Sequence, residues 1–144
     1  MAITSAICNS FKVEILTATH NFTATSGDTF NLALYTSSAT LNKSTTAYTT
    51  SDEVASSGGY TAKGKALTSV TPVLSSDTAV CDFANISWTS ASFTSRGCLI
   101  FNDSAASDQS VCAIDFGGDK TVTSGTFTIE FPAATAGNAI IGIA

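Results

Sequence analysis

The chain has 144 residues, which suits one domain with a real core and is too short for two ordinary ones. With 44% hydrophobic and 12% charged residues it is not a disordered chain, and no apolar run reaches the roughly 18–20 residues of a membrane span. Its net charge is −5, and its six basic residues are scattered, which excludes the clustered cations that nucleic-acid binding requires.

Ser and Thr together supply 43 residues and take over the surface that Lys and Glu usually cover. Thr is β-branched and fits a pleated surface, so the composition favours strands over helices. Few surface charges also leave little electrostatic protection against association, which suits a chain packed beside many copies of itself.

In chain order, MAITSAICNS has neither a basic start nor an apolar stretch long enough for a secretory signal. Synthesis in a cytoplasm is expected, with 1–10 as an extended N-terminal arm. FKVEILT at 11–17 alternates, with Phe11, Val13 and Ile15 on one face, and predicts a strand. His20, the only histidine, lies in a polar connection (TATHNFTATSGD) and reads as a surface residue. A Ser-His-Asp triad would have to pass through it, and no nucleophile-elbow pattern accompanies it. TFNLALYT at 29–36 is the next strand. Around Ser51 to Ala55 a helical turn is expected, with Ser51 as cap and Gly58 as stop.

GGYTAKGKAL, 58–67, counts from Gly59 as G-x-x-x-x-G-K-A and imitates a phosphate-binding loop. That loop needs a buried strand before it, a helix after it and a hydroxyl for Mg²⁺. Here SDEVASSG precedes it, ALTSVTPV follows, and Ala66 stands where the hydroxyl belongs. The stretch reads instead as a glycine-rich entry to an edge strand over 60–68, with Lys63 and Lys65 blunting the edge.

Further strands are predicted at 78–84 (TAVCDFA), 96–102 (RGCLIFN), 110–116 (SVCAIDF), 126–131 (TFTIEF) and 139–143 (AIIGI). IDFGG, 114–118, contains the D-F-G of protein kinases, but no other kinase element fits this length; it reads as a strand end followed by a Gly-Gly turn. The terminal AIIGIA is expected to form a buried strand. Burying Ile140, Ile141 and Ile143 would stabilise by roughly 1.5–3 kcal/mol each. The whole pattern gives an all-β fold: a single-domain antiparallel β-sandwich over 1–144, jelly-roll-like, with about eight strands.

Candidate chemistry is sparse. Cys8, Cys81, Cys98 and Cys112 form no C-x-x-C pair and so do not read as zinc ligands; free buried thiols are expected, with two disulfides as the alternative. Asp103, Asp108, Asp115 and Asp119 would hold Ca²⁺ only if their loops met, and no EF-hand spacing is present. Asn21, Asn42, Asn85 and Asn102 begin N-x-[ST] sequons that follow from composition. No catalytic, cofactor-binding or metal residue is assigned, and no enzyme activity is expected.

Three pieces then stand out in order: FNLALYTSSATLNKSTTAYTTSDEVASSGGYTAKGKAL, ISWTSASFTSRGCLIFND and the Ile-rich end. From about Phe11 onward the chain resembles the small virion structural proteins of tailed bacteriophages. The resemblance implies a capsid cement or decoration protein on the shell surface, a small β-sandwich usually found as a homotrimer. Its partners would be the major capsid protein and itself, without nucleic acid or membrane, after synthesis in the host cytoplasm. The alternative is a tail, neck or head-fibre adhesin that binds host carbohydrate, for which Trp88, Tyr48 and Tyr60 would be the aromatic platforms. Their other reading is core or interface packing.

Overall fold

In the computed structural model, residues 2–144 are described. The elements run β1 (Ala6–Ile7), α1 (Asn9–Leu16), β2 (Phe30–Tyr35), β3 (Lys65–Ala66), β4 (Ser69–Ser75), β5 (Thr78–Phe83), β6 (Ile86–Asn102), β7 (Ser110–Ile129) and β8 (Ile141–Ile143). They form two antiparallel sheets, in the orders β1-β7-β6-β2-β3 and β4-β5-β8. The all-β sandwich of eight strands predicted from the sequence is the fold.

The two most apolar segments, LALY and CLIF, pair at the centre, with Leu32 opposite Ile100 and Leu34 opposite Cys98. Both faces of this pair are covered, which is why it reads as a continuous apolar run and not as an alternation. On one face Phe30, Leu32, Leu34 and Ile100 enter the main core. On the other, Ala33, Tyr35, Leu99 and Phe101 pack with Ile3, Ala39 and Leu41. The sheets meet through aromatic rings: Phe83 of β5 lies 6.0 Å from Phe30 of β2, and Phe22 stacks on Phe30 at 4.2 Å.

Several expectations need correction. FKVEILT is not a strand but most of helix α1. Phe11 and Ile15 are four apart, a spacing that puts them on one face in either conformation. Val13 separates the two conformations. It stays 64% exposed, as helical geometry requires, while Phe11 is buried against Phe22 and His20. The segment 51–55 is no helical turn: Asp52 takes φ +60°, and Glu53 bridges antiparallel to Tyr35 at the flank of β2.

The strand expected over 60–68 shrinks to Lys65–Ala66, because positive φ at Lys63 and Gly64 bends the chain just before it. A strand not foreseen, β4, follows. Its Pro72 sits at a register shift on the sheet's edge, where a missing N–H costs no ladder bond.

The predicted strands 110–116 and 126–131 are the two ends of one strand, β7. The expected Gly-Gly turn at 117–118 is a bulge within it. Gly97 faces Asp115 and Ser95 faces Lys120, so the segment 116–119 opposes Arg96 alone, with Gly117 at φ +79°. The segment 96–102 is likewise only the end of a longer strand, β6. At the C-terminal end Ile141 is buried, but Ile143, on the same face of the strand, is 54% exposed, so the cover ends before the last strand residue. The arm expected over 1–10 does not form among the described residues: 2–8 run along the body, where Ile3 bridges Leu41 and β1 pairs with Cys112 and Ala113, and Asn9 and Ser10 begin α1.

Candidate functional site

The glycine-rich stretch at 58–67 works as a clasp. Gly58 and Gly59 lie against the backbone of Ser90–Ser92, with the Ser92 N–H donating to Gly58 O at 2.8 Å. The Tyr60 ring is buried beside Trp88 and Phe93. Its hydroxyl accepts the Leu34 N–H at 2.9 Å and donates to Glu53 Oε1 at 2.7 Å. Glu53 also accepts from the Tyr48 hydroxyl and the Lys63 N–H. Burial first, and the Glu53 carboxylate second, push the Tyr60 phenol up and the Tyr48 phenol to about 12. Both phenols are therefore donors at neutral pH.

The two lysines are held as well. Lys63 forms ion pairs with Asp103 at 3.0 Å and Asp108 at 2.8 Å, which keep its ammonium proton on well above the usual range. Lys65 donates to the Ser87 carbonyl and lies 5.8 Å from the Trp88 ring centroid. No phosphate cradle forms, since a two-residue strand follows the loop where a helix N-terminus would be needed.

Trp88 and Tyr60 are core side chains at 3% exposure, and Tyr48 is stacked on Phe101 at 4.8 Å. Two of the three aromatic platforms of the adhesin reading are thus packed in the core, and Tyr48 is half-buried. Asp103 and Asp108 meet only through Lys63. Asp115 is taken by Arg96 at 3.0 Å and by the Gly117 N–H, and this N–H, with Arg96 second, holds its carboxyl below the ordinary range. Among the described residues no three metal-ligating side chains converge.

His20 is the largest departure. It is 6% exposed, not a surface residue, and lies among Phe11, Phe22 and Phe30. Asn102 fixes its tautomer. Asn102 Oδ1 accepts the Ser104 and Ala105 N–H groups, so its Nδ2 faces His20 Nδ1 at 3.1 Å and also donates to Asp28 at 2.8 Å. Nδ1 must then accept, and the ring proton sits on Nε2, 3.5 Å from Glu14 Oε2. Burial lowers the His20 pKa, against the opposing pull of Glu14 and Asp28. Asp28, Asn102 and His20 are therefore hydrogen-bonded in a row behind β6, and the row stops at α1, where His20 Nε2 and both Glu14 carboxylate oxygens are buried without hydrogen-bond partners. Nothing in the sequence around His20 signalled this, because its partners lie up to 82 residues away.

The other singled-out residues have structural roles. Asn85 caps the Phe131 N–H, Asn21 and Asn42 close turns through their side chains, and Asn102 is fully buried. All four cysteines are free thiols; Cys8, Cys98 and Cys112 are buried and Cys81 half-buried. Burial raises the Cys81 thiol to about 11 and the Cys112 thiol to about 12, the opposite of an activated nucleophile.

Two surfaces remain. The first is an apolar flank. Val13 and Leu16 of α1 are 64% and 86% exposed, and Val73 and Leu74 of β4 are 56% and 71% exposed. Two clefts open between these elements, and of the four residues Leu16 lines one of them. One of about 330 Å³ runs between α1 and β8, and one of about 420 Å³ runs from Ile15 to Pro72; Ile143 lines both. Sequence periodicity hid this flank, because its residues come from three separate elements.

The second lies along β7. Its outer edge pairs with β1 only at Cys112 and Ala113, so from Ile114 to Ile129 its one strand partner is β6. Phe116, Val122, Phe127 and Ile129 are half-buried there and line a groove of about 600 Å³ with Asp119, Lys120 and Glu130 on its rim. Among the described residues none of these three charges has an ion-pair partner closer than 4.0 Å. The fold and its surfaces define a small all-β sandwich with two uncovered apolar faces. No protein-family model, no curated protein and no solved structure matches the chain.

Proposed function

We propose that this protein is an assembly component, a small virion structural protein that cements a bacteriophage capsid by non-covalent contacts with the major capsid protein. The observation that carries this reading is the apolar flank of α1, β8 and β4 on a chain with only 12% charged residues. Large exposed apolar faces on small folded proteins mark surfaces that a partner covers. Many copies, each making a modest contact, would then oppose internal pressure through multivalency. The sequence resemblance supplies the kind of assembly, and the flank supplies the means of attachment. The burial of Trp88 and Tyr60, two of the three aromatic platforms named for the carbohydrate-binding alternative, supports the cement reading over it.

The test is to label the protein on virions of the phage that encodes it. Labelling of the shell is expected, together with earlier heat rupture of capsids that lack the protein. Label confined to the tail, or heat resistance unchanged without the protein, overturns the cement role. Leu74→Asp, at an exposed position, should weaken shell binding while leaving the melting temperature within a few degrees.

A further inference from the structure

We infer that the cleft between α1 and β8 takes an extended segment of the shell protein, which joins the three-stranded sheet as a further strand beside β8. The inference rests on the capsid reading above and names its mode of attachment. β8 is the last strand of its sheet and pairs with β5 alone. Among the described residues, no backbone hydrogen bond other than those of the β5 ladder reaches Ile141–Ile143. Ile141, Gly142 and Ile143 all line the cleft of about 330 Å³. Successive residues of a strand point to opposite faces, so a cleft that meets three in a row runs along the strand's edge. Such an edge presents N–H and C=O groups that template an added strand.

The walls of the cleft select the occupant. Ile15 and Leu16 of α1 face the β8 edge across it. A hydrocarbon chain would suit those two side chains, but it would strip water from the β8 backbone and leave those groups unbonded. An extended peptide meets both demands. Its backbone pairs with β8, and its alternate side chains enter the cleft against Ile15 and Leu16. Lys12 lines the same cleft, exposed, with its ammonium donating to Asn9 Oδ1 at 3.1 Å and no ion-pair partner among the described residues. The segment is therefore apolar at alternate positions and carries a carboxylate where it passes Lys12.

Overlapping synthetic peptides that span the major capsid protein, titrated against the full chain by fluorescence anisotropy, test it. One stretch of that pattern is expected to bind. Leu16→Asp, at a position 86% exposed, should weaken binding about tenfold. Lys12→Glu should weaken it too, and exchanging the peptide's acidic residue for lysine should restore it, an outcome that misfolding cannot mimic. N-methylation of alternate peptide amides separates strand addition from apolar adhesion. One set should abolish binding and the other leave it intact, because only one edge of an added strand faces β8. Equal sensitivity to the two sets, or indifference to Leu16→Asp, overturns strand addition. So does a chain that coats the shell but binds no peptide, and in that case the capsid reading stands. A chain that does not coat the shell overturns both. A dimer of the free chain that the peptides do not dissociate makes a second copy the occupant and overturns the inference alone.

Discussion

Tyr60 donates its hydroxyl to Glu53 Oε1 at 2.7 Å, inside the stretch that imitates a phosphate loop. The Tyr60 hydroxyl oxygen in turn accepts the buried Leu34 N–H, so one phenol joins the clasp, the carboxylate and the central strand β2. Tyr60→Phe should therefore cost about 1–3 kcal/mol, the penalty for leaving a buried donor unsatisfied. Urea melts measure it. A loss within about 0.5 kcal/mol would show that Leu34 finds another acceptor.

Two glycines at positive φ should respond very differently to alanine. At Gly64, φ +66°, an added Cβ would collide with the Leu32 carbonyl across the β2–β3 pair. Gly64→Ala should cost about 4 kcal/mol or give insoluble protein. At Gly117, φ +79°, an added Cβ meets nothing within 4 Å, so only backbone strain of roughly 1–2 kcal/mol remains. Equal melting temperatures for the two variants would contradict the clasp.

His20 is held neutral by burial, so its pKa in the fold lies below the unfolded value of about 6.5. The unfolded chain takes up the proton first as pH falls. Stability contributed by the neutral ring is complete above about pH 6.5 and declines as pH drops toward the folded value. Urea midpoints of wild type and His20→Gln, measured from neutral to mildly acid pH, should converge as the wild type loses this contribution. Parallel curves would mean that Glu14 and Asp28 fully offset the burial.

The terminal isoleucines separate in the same way. Ile141 is 2% exposed and pairs opposite Cys81 in β5, so Ile141→Ala should cost about 2–5 kcal/mol. Ile143 is half exposed on the flank, and Ile143→Ala should stay within about 0.5 kcal/mol. The second variant should instead weaken attachment to the shell, which a capsid pull-down would detect.

The sequence by itself determined the fold class and excluded several chemistries. Abundant Thr, short alternating runs and the continuous apolar FNLALY and CLIF segments carry an all-β fold, because burial on one or two faces is written in local period. The chain flanking Gly59 also ruled out a nucleotide loop, since that chemistry needs a strand and a helix in fixed order. Where one pattern served two conformations, the tertiary structure decided. Phe11 and Ile15 share a face in strand or helix alike, and packing of Phe11 on His20 and Phe22 selects the helix. Two predicted strands became one because a bulge at Gly117 costs less than breaking the long ladder with β6. The burial of His20 and the apolar flank are set by partners distant in sequence, which no local pattern records.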